Sequence, residues 1–206
     1  MKLINIIIYT VIIGLGAAAV VIGVVTSDND SAYARGILQH RQEVADFLLQ
    51  SPQSPIPLSD RDGTIGLRYY EPDRSYEVEA KLTLVATAPP LTLLTSADTE
   101  EVYYPHSHVV FELAGVQQRL LLLQSRESQA SNRLFLAFTD ETSGSETYAG
   151  GRYLDVYPQG EETVTIDFNL AYNPYCVYDA QYICPVPPPE NRLTVPVHAG
   201  EKNYKL

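Results

Sequence analysis

Val109-Val110-Phe111-Glu112-Leu113, then Ala114-Gly115, then Val116 through Leu120-Leu121-Leu122-Leu123: this stretch decides how the 206-residue chain folds. Two apolar-rich runs flank a dipeptide whose glycine supplies the positive φ of a tight turn, and the segment reads as a β-hairpin. Leu120 to Leu123, and Leu134-Phe135-Leu136-Ala137-Phe138 further on, are apolar at both parities, so these strands are central and covered on both faces. Outward from the hairpin the pattern changes. Tyr76, Val78, Ala80, Leu82 and Leu84 alternate with Glu77, Glu79, Lys81 and Thr83, the period of two of a strand with one packed and one wet face. Val164, Ile166, Phe168 and Leu170 alternate in the same way, so that Asp167 and Asn169 stand on the opposite face.

Ahead of the strands, Ala34, Ile37, Leu38, Arg41, Val44, Ala45 and Leu48 recur near helical spacing and predict one amphipathic helix. Pro52, Pro55 and Pro57 end it, because each disfavours helical geometry in the residue before it. Fifteen tyrosines suit half-buried strand positions, where the ring packs and the hydroxyl finds a partner. The expected fold is mainly β: an antiparallel barrel or sandwich-like domain with one N-terminal amphipathic helix.

A single transmembrane helix is expected before this domain. Ile4 to Val25 carry no charge, and at ~1.5 Å per residue they reach roughly 33 Å as a helix, enough for a bilayer core. The run exceeds the ~7–15 apolar residues of a cleaved signal. It predicts a signal anchor over 1–26, a linker over 27–33 and one β-rich domain over 34–206. Cleavage and secretion, using the small residues of Ala32-Tyr33-Ala34, is the alternative. Lys2 precedes the segment and Asp28 and Asp30 follow it, which places the domain outside the cytoplasm. A net charge of −11 argues against nucleic acid and anionic lipid headgroups as partners. Cys176 and Cys184 are close enough to close a disulfide in that compartment, with two separately buried thiols as the alternative.

The last third is dense in glycine, proline, aromatic and charged residues. It holds Phe138-x-Asp140-x-Thr142-x-Gly144-x-Glu146-Thr147-Tyr148, Gly151-Arg152-Tyr153-Leu154, Asp167-Phe168-Asn169, Cys184-Pro185, Pro188-Pro189-Glu190-Asn191-Arg192-Leu193 and Ala199-Gly200-Glu201-Lys202. These blocks, in this order after a helix and Gly66-Leu67-Arg68-Tyr69-Tyr70, resemble the bacterial and archaeal domain of unknown function 1684 family over about residues 31–204. The resemblance implies no activity. Tyr104-Pro105-His106-Ser107-His108 and Tyr175 depart from the family's pattern.

The candidate polar cluster comprises Tyr148, Arg152, Asp167, Asn169, Asn173, Glu190, Asn191, Arg192, Glu201 and Lys202. Arginine forks suit carboxylates and phosphates, so one reading is a polar cleft for a small anionic ligand, with Arg152 near Asp167 and Asn169. The other reading is that these groups tie loops together, since buried polar groups must be paired. An enzyme, a hydrolase or transferase using Arg152 and Arg192 with Asp167 or Glu190, is the second functional reading. Asp140 and Glu146 read as an exposed turn rather than a cation loop. His106 and His108 lack an identifiable third ligand, so no metal is expected, and no motif implies a cofactor.

Overall fold

The computed structural model describes residues 29–61, 66–126, 132–160 and 162–204. A helix, α1, covers residues 29–50. Its inward stripe runs through Ile37, Arg41, Val44 and Leu48, as the periodicity predicts, and includes a buried arginine; Tyr33 joins it one turn earlier, and Leu38, expected on this face, is exposed. Residues 29–33, assigned to the linker from sequence, belong to this helix. Tyr33 explains the extension, because its hydroxyl sits between both carboxylate oxygens of Asp167, at 2.9 and 2.8 Å. The helix stops where Ser54 donates its hydroxyl to the Leu48 carbonyl at 2.6 Å and the prolines begin.

Seven antiparallel strands follow among the described residues: β1 (Glu77–Leu84), β2 (Leu91–Leu94), β3 (Glu100–Leu113), β4 (Val116–Ser125), β5 (Leu134–Phe138), β6 (Arg152–Val156) and β7 (Thr163–Asp167). They form one sheet in the order β6-β5-β4-β3-β1-β7, with β2 also paired to β3. The length of β3 allows this branching. One edge pairs with β4, while the other takes β2 and then β1. Ala114 (φ 52°) and Gly115 (φ 76°) make the predicted β3–β4 turn, both in the left-handed region that matches the strand twist. A register shift between Pro105 and Ser107 marks a bulge, at a proline that has no N–H to give the ladder.

The sheet curls into a half-barrel whose edges are tied by one bridge. Tyr153 in β6 and Tyr172, just after β7, exchange N–H···O bonds of 2.9 and 3.0 Å. Val78, Ala80, Leu82, Val109, Phe111, Leu120, Leu122 and Leu136 pack on the inner face with Phe138 and Phe168. Leu193, Val195, Val197 and Ala199 of the C-terminal segment complete this core. Leu121 and Leu123 point the other way and pack with Leu93 and Tyr103, which is why β4 is apolar at both parities. Leu84, expected inside, is exposed. The last strand also ends sooner than the alternation to Leu170 suggests. Asp167 accepts the Asn169 amide at 2.9 Å and turns the chain into a short 3-10 helix, Phe168–Leu170.

No helix among the described residues is long and apolar enough to cross a membrane, and the expected anchor over residues 4–25 lies outside them.

Candidate functional site: a tyrosine-lined cavity

The polar residues of the sequence cluster do not form one cleft. Arg152 is completely buried and pairs with Asp140, not with Asp167 or Asn169. Its Nη2 donates to Asp140 Oδ2 at 2.9 Å and to the Val197 carbonyl at 3.0 Å, and its Nη1 donates to the carbonyls of Ala199 and Glu201. Asp140 Oδ1 accepts from Thr142 and from the Val197 amide, so Asp140 is an interior residue and not part of an exposed turn. Together the pair clamps the C-terminal segment into the half-barrel. Gly151 (φ 89°) makes room for it: a Cβ there would lie 2.5 Å from the Phe138 carbonyl oxygen.

Asp167 and Asn169 belong to a separate network that docks α1. The Asn169 amide donates to Tyr33 Oη (2.9 Å) and the Asp73 carbonyl (2.7 Å), and its Oδ1 accepts from the Asp73 amide at 2.9 Å. Asn191 is elsewhere again, inserted between β4 and β5. Glu190, Arg192 and Lys202 lie toward the surface and pair with His108, Glu141 and Glu146 at 3.3, 3.5 and 3.5 Å. Exposed pairs of this kind contribute little. His106, inside the bulge, has its ring Nδ1 3.1 Å from the Ser107 hydroxyl, and its carbonyl accepts from the Val85 amide at 2.9 Å. Tyr148 is half-buried beside Cys176, and burial raises its hydroxyl above the usual range.

The expected disulfide is not formed: Cys176 and Cys184 are both free thiols. Cys184 packs as a small apolar residue against Ala137 and Tyr153, and its sulfur accepts the Cys176 amide at 3.2 Å. Burial pushes this thiol up to about 12, which keeps it protonated and unreactive at neutral pH.

What the structure does assemble is a cavity of 1130 Å³, bounded by α1, the face of β5 and β6, and the chain from 169 to 185. Tyr69, Tyr103, Tyr153, Tyr157, Tyr172, Tyr175, Tyr178 and Tyr182 line it, eight of the fifteen in the chain. Edge-to-face contacts of Tyr153 with Phe135 and Tyr172, and of Tyr175 with Tyr182, hold the rings in place. Val44, Phe47 and Leu48 supply the apolar side from α1. Asn169, Asn173 and Glu201 are the members of the sequence cluster that reach this wall. The signals for the cavity were Arg41, a charge within the apolar stripe of α1, and the tyrosines at 172, 175, 178 and 182, three and four apart in a stretch that holds only a short 3-10 turn.

Glu201 is an acid on that wall whose pKa is raised. It is fully buried and accepts from Tyr178 Oη at 2.8 and 3.0 Å and from the Asn173 amide at 2.9 Å, with no cation in ion-pair range among the described residues. Burial raises its pKa; the Asn173 amide, the Tyr178 hydroxyl and the charge of Arg152 pull the other way. Asp155, also on the wall, is raised by burial and opposed by Arg133 at 3.6 Å. Because the folded state holds the Glu201 proton more tightly than the unfolded chain, its stabilising contribution is complete below the ordinary carboxylate range. That contribution is lost as pH rises through the raised value, at up to about 1.4 kcal/mol per pH unit. Urea unfolding from pH 4 to 8 should therefore show Glu201→Gln gaining on the wild type as pH rises. Parallel stability curves would show that Glu201 ionises normally in the folded domain.

Residues 65–202 match the family described as "Protein of unknown function (DUF1684)", and the chain belongs to this family. It is similar to the uncharacterized protein of Haloarcula marismortui whose solution NMR structure is known, with 36% sequence identity and a TM-score of 0.66 over 85% of this chain and 97% of that one. A comparison with curated proteins found no match.

Proposed function

We propose that the domain is a binding module, held at a membrane by residues 4–25, whose site is the tyrosine-lined cavity. The observation that carries the reading is the cavity itself: 1130 Å³ of concave space, walled by rings already fixed by their neighbours. Such a volume suits a drug-sized organic molecule, and aromatic walls with hydroxyl tips suit a flat body with a hydrogen-bonding rim. Binding is favoured over hydrolysis or transfer by the state of the polar residues. Arg152, Asn169 and Asn191 are committed to internal partners, and Arg192 is at the surface against Glu141.

Because the chain has no tryptophan, Phe47→Trp on the α1 side of the cavity places a unique fluorophore at the site. Full-length protein screened against flat organic molecules should yield members that raise Tm and also shift this emission. Stabilising compounds that leave the emission unchanged, or no stabilising compound at all, would sink the cavity as the site. The membrane part rests on the 22 uncharged residues from Ile4 to Val25. After carbonate extraction the intact chain should stay with the membrane pellet, and its release would reject the anchor.

A further inference from the structure

We infer that the ligand of this cavity carries a carboxylate and that Arg41 anchors it, an inference that rests on the cavity being the binding site. Arg41 lines the wall from α1 and is 8% exposed. Its five N–H groups are mostly unspent. Nη1 donates to the Tyr70 carbonyl at 2.8 Å, Nη2 has one long contact of 3.4 Å to the Asn169 carbonyl, and Nε is buried with no partner. Among the described residues no carboxylate lies within ion-pair distance of it, in contrast to Arg152 on Asp140 and Arg133 on Asp155. The acids on the same wall have other partners: Glu43 accepts from Gln39, Glu101 from Tyr103, Asp155 is matched by Arg133, and Glu201 is held by Tyr178 and Asn173, while Glu71 and Asp167 act on Arg41 only from beyond ion-pair distance.

The geometry selects the kind of anion. The guanidinium carbon lies over the Tyr69 ring, 4.5 Å from its centre, so the ring covers the guanidinium on that side and the N–H edges remain for a ligand. Nε and Nη2 form the edge that a planar, two-oxygen anion takes side-on, and it is the edge with the weakest existing commitments. Turning the guanidinium off the long Asn169 contact presents that edge to the cavity, while the Tyr70 bond holds the other end. A flat ring attached to the carboxylate then lies against tyrosine faces.

Isothermal titration of the full chain with 2-naphthoate and with its neutral isostere 2-naphthamide tests the assignment. Charge-assisted recognition by an arginine fork should make the acid bind about tenfold more tightly or better, and Arg41→Met should erase that preference. Equal affinity of acid and amide would overturn the carboxylate anchor and leave the cavity reading intact. So would a preference that survives in Arg41→Met. Failure of both probes, while other molecules shift the Phe47→Trp emission, would also overturn it; failure of every molecule on that emission is instead the failure of the cavity reading. If Arg41→Met does not fold, the acid-to-amide ratio of the wild type decides alone.

Discussion

Arg152→Ala should lower the stability of the domain by about 3–5 kcal/mol, because it strands the buried Asp140 carboxylate without its cation. For a chain of this size that corresponds to a fall in Tm of about 6–20 °C. Arg152→Lys should recover part of the loss only. An ammonium can meet Asp140, but it cannot also span the carbonyls of Val197, Ala199 and Glu201 that the planar fork reaches, so ~1–3 kcal/mol of penalty remains. Truncating both partners should not restore stability, since Asp140 Oδ1 also accepts from the Thr142 and Val197 amides. Urea denaturation of the two single variants and the double variant measures these differences as a cycle. An Arg152→Ala domain as stable as the wild type would mean that the C-terminal segment is held by its apolar side chains alone.

Arg152 also shows where reading from sequence reaches its limit. Periodicity carried the local structure: the stripe of α1, the β3–β4 hairpin and the double-sided burial of β4 follow from spacing, because spacing sets which way a side chain points. Gly151, directly before Arg152, lacks a Cβ where the chain approaches the Phe138 carbonyl. Which acid the arginine meets was not legible. Asp140 and Asp167 both stand at strand ends, and choosing between them requires knowing how the sheet curls, a property of β3 branching to β1 and β2 that no local pattern encodes. The cavity was hidden for a related reason. Four of its tyrosines, 172, 175, 178 and 182, lie in a segment of turns and one short 3-10 helix, where their helix-like spacing does not say which wall they share.

Asn191→Ala should be the other severely destabilising change, at about 3–6 kcal/mol. Strands β4 and β5 register as a pair only at Leu123 and Phe135, so their backbones do not satisfy one another farther along. The Asn191 side chain takes the place of the missing partner. Its Oδ1 accepts the Leu121 amide at 2.7 Å, and its Nδ2 donates to the carbonyls of Leu121 and Ala137, each at 2.9 Å. Truncation leaves three buried backbone groups unpaired, each worth ~1–3 kcal/mol and not fully additive. Asn191→Leu, of similar volume, separates packing from polarity. If the amide matters as a surrogate peptide group, leucine should fare no better than alanine; if the site needs only to be filled, leucine should rescue most of the loss. Asn191→Asp should be poorly tolerated at neutral pH, because a carboxylate can accept from Leu121 but faces two carbonyl oxygens with nothing to donate. Native-state hydrogen exchange gives the local readout. The Leu121 amide should lose protection in Asn191→Ala well beyond the change in its β3-paired neighbours, and protection retained there would show that the strands can close the gap without Asn191.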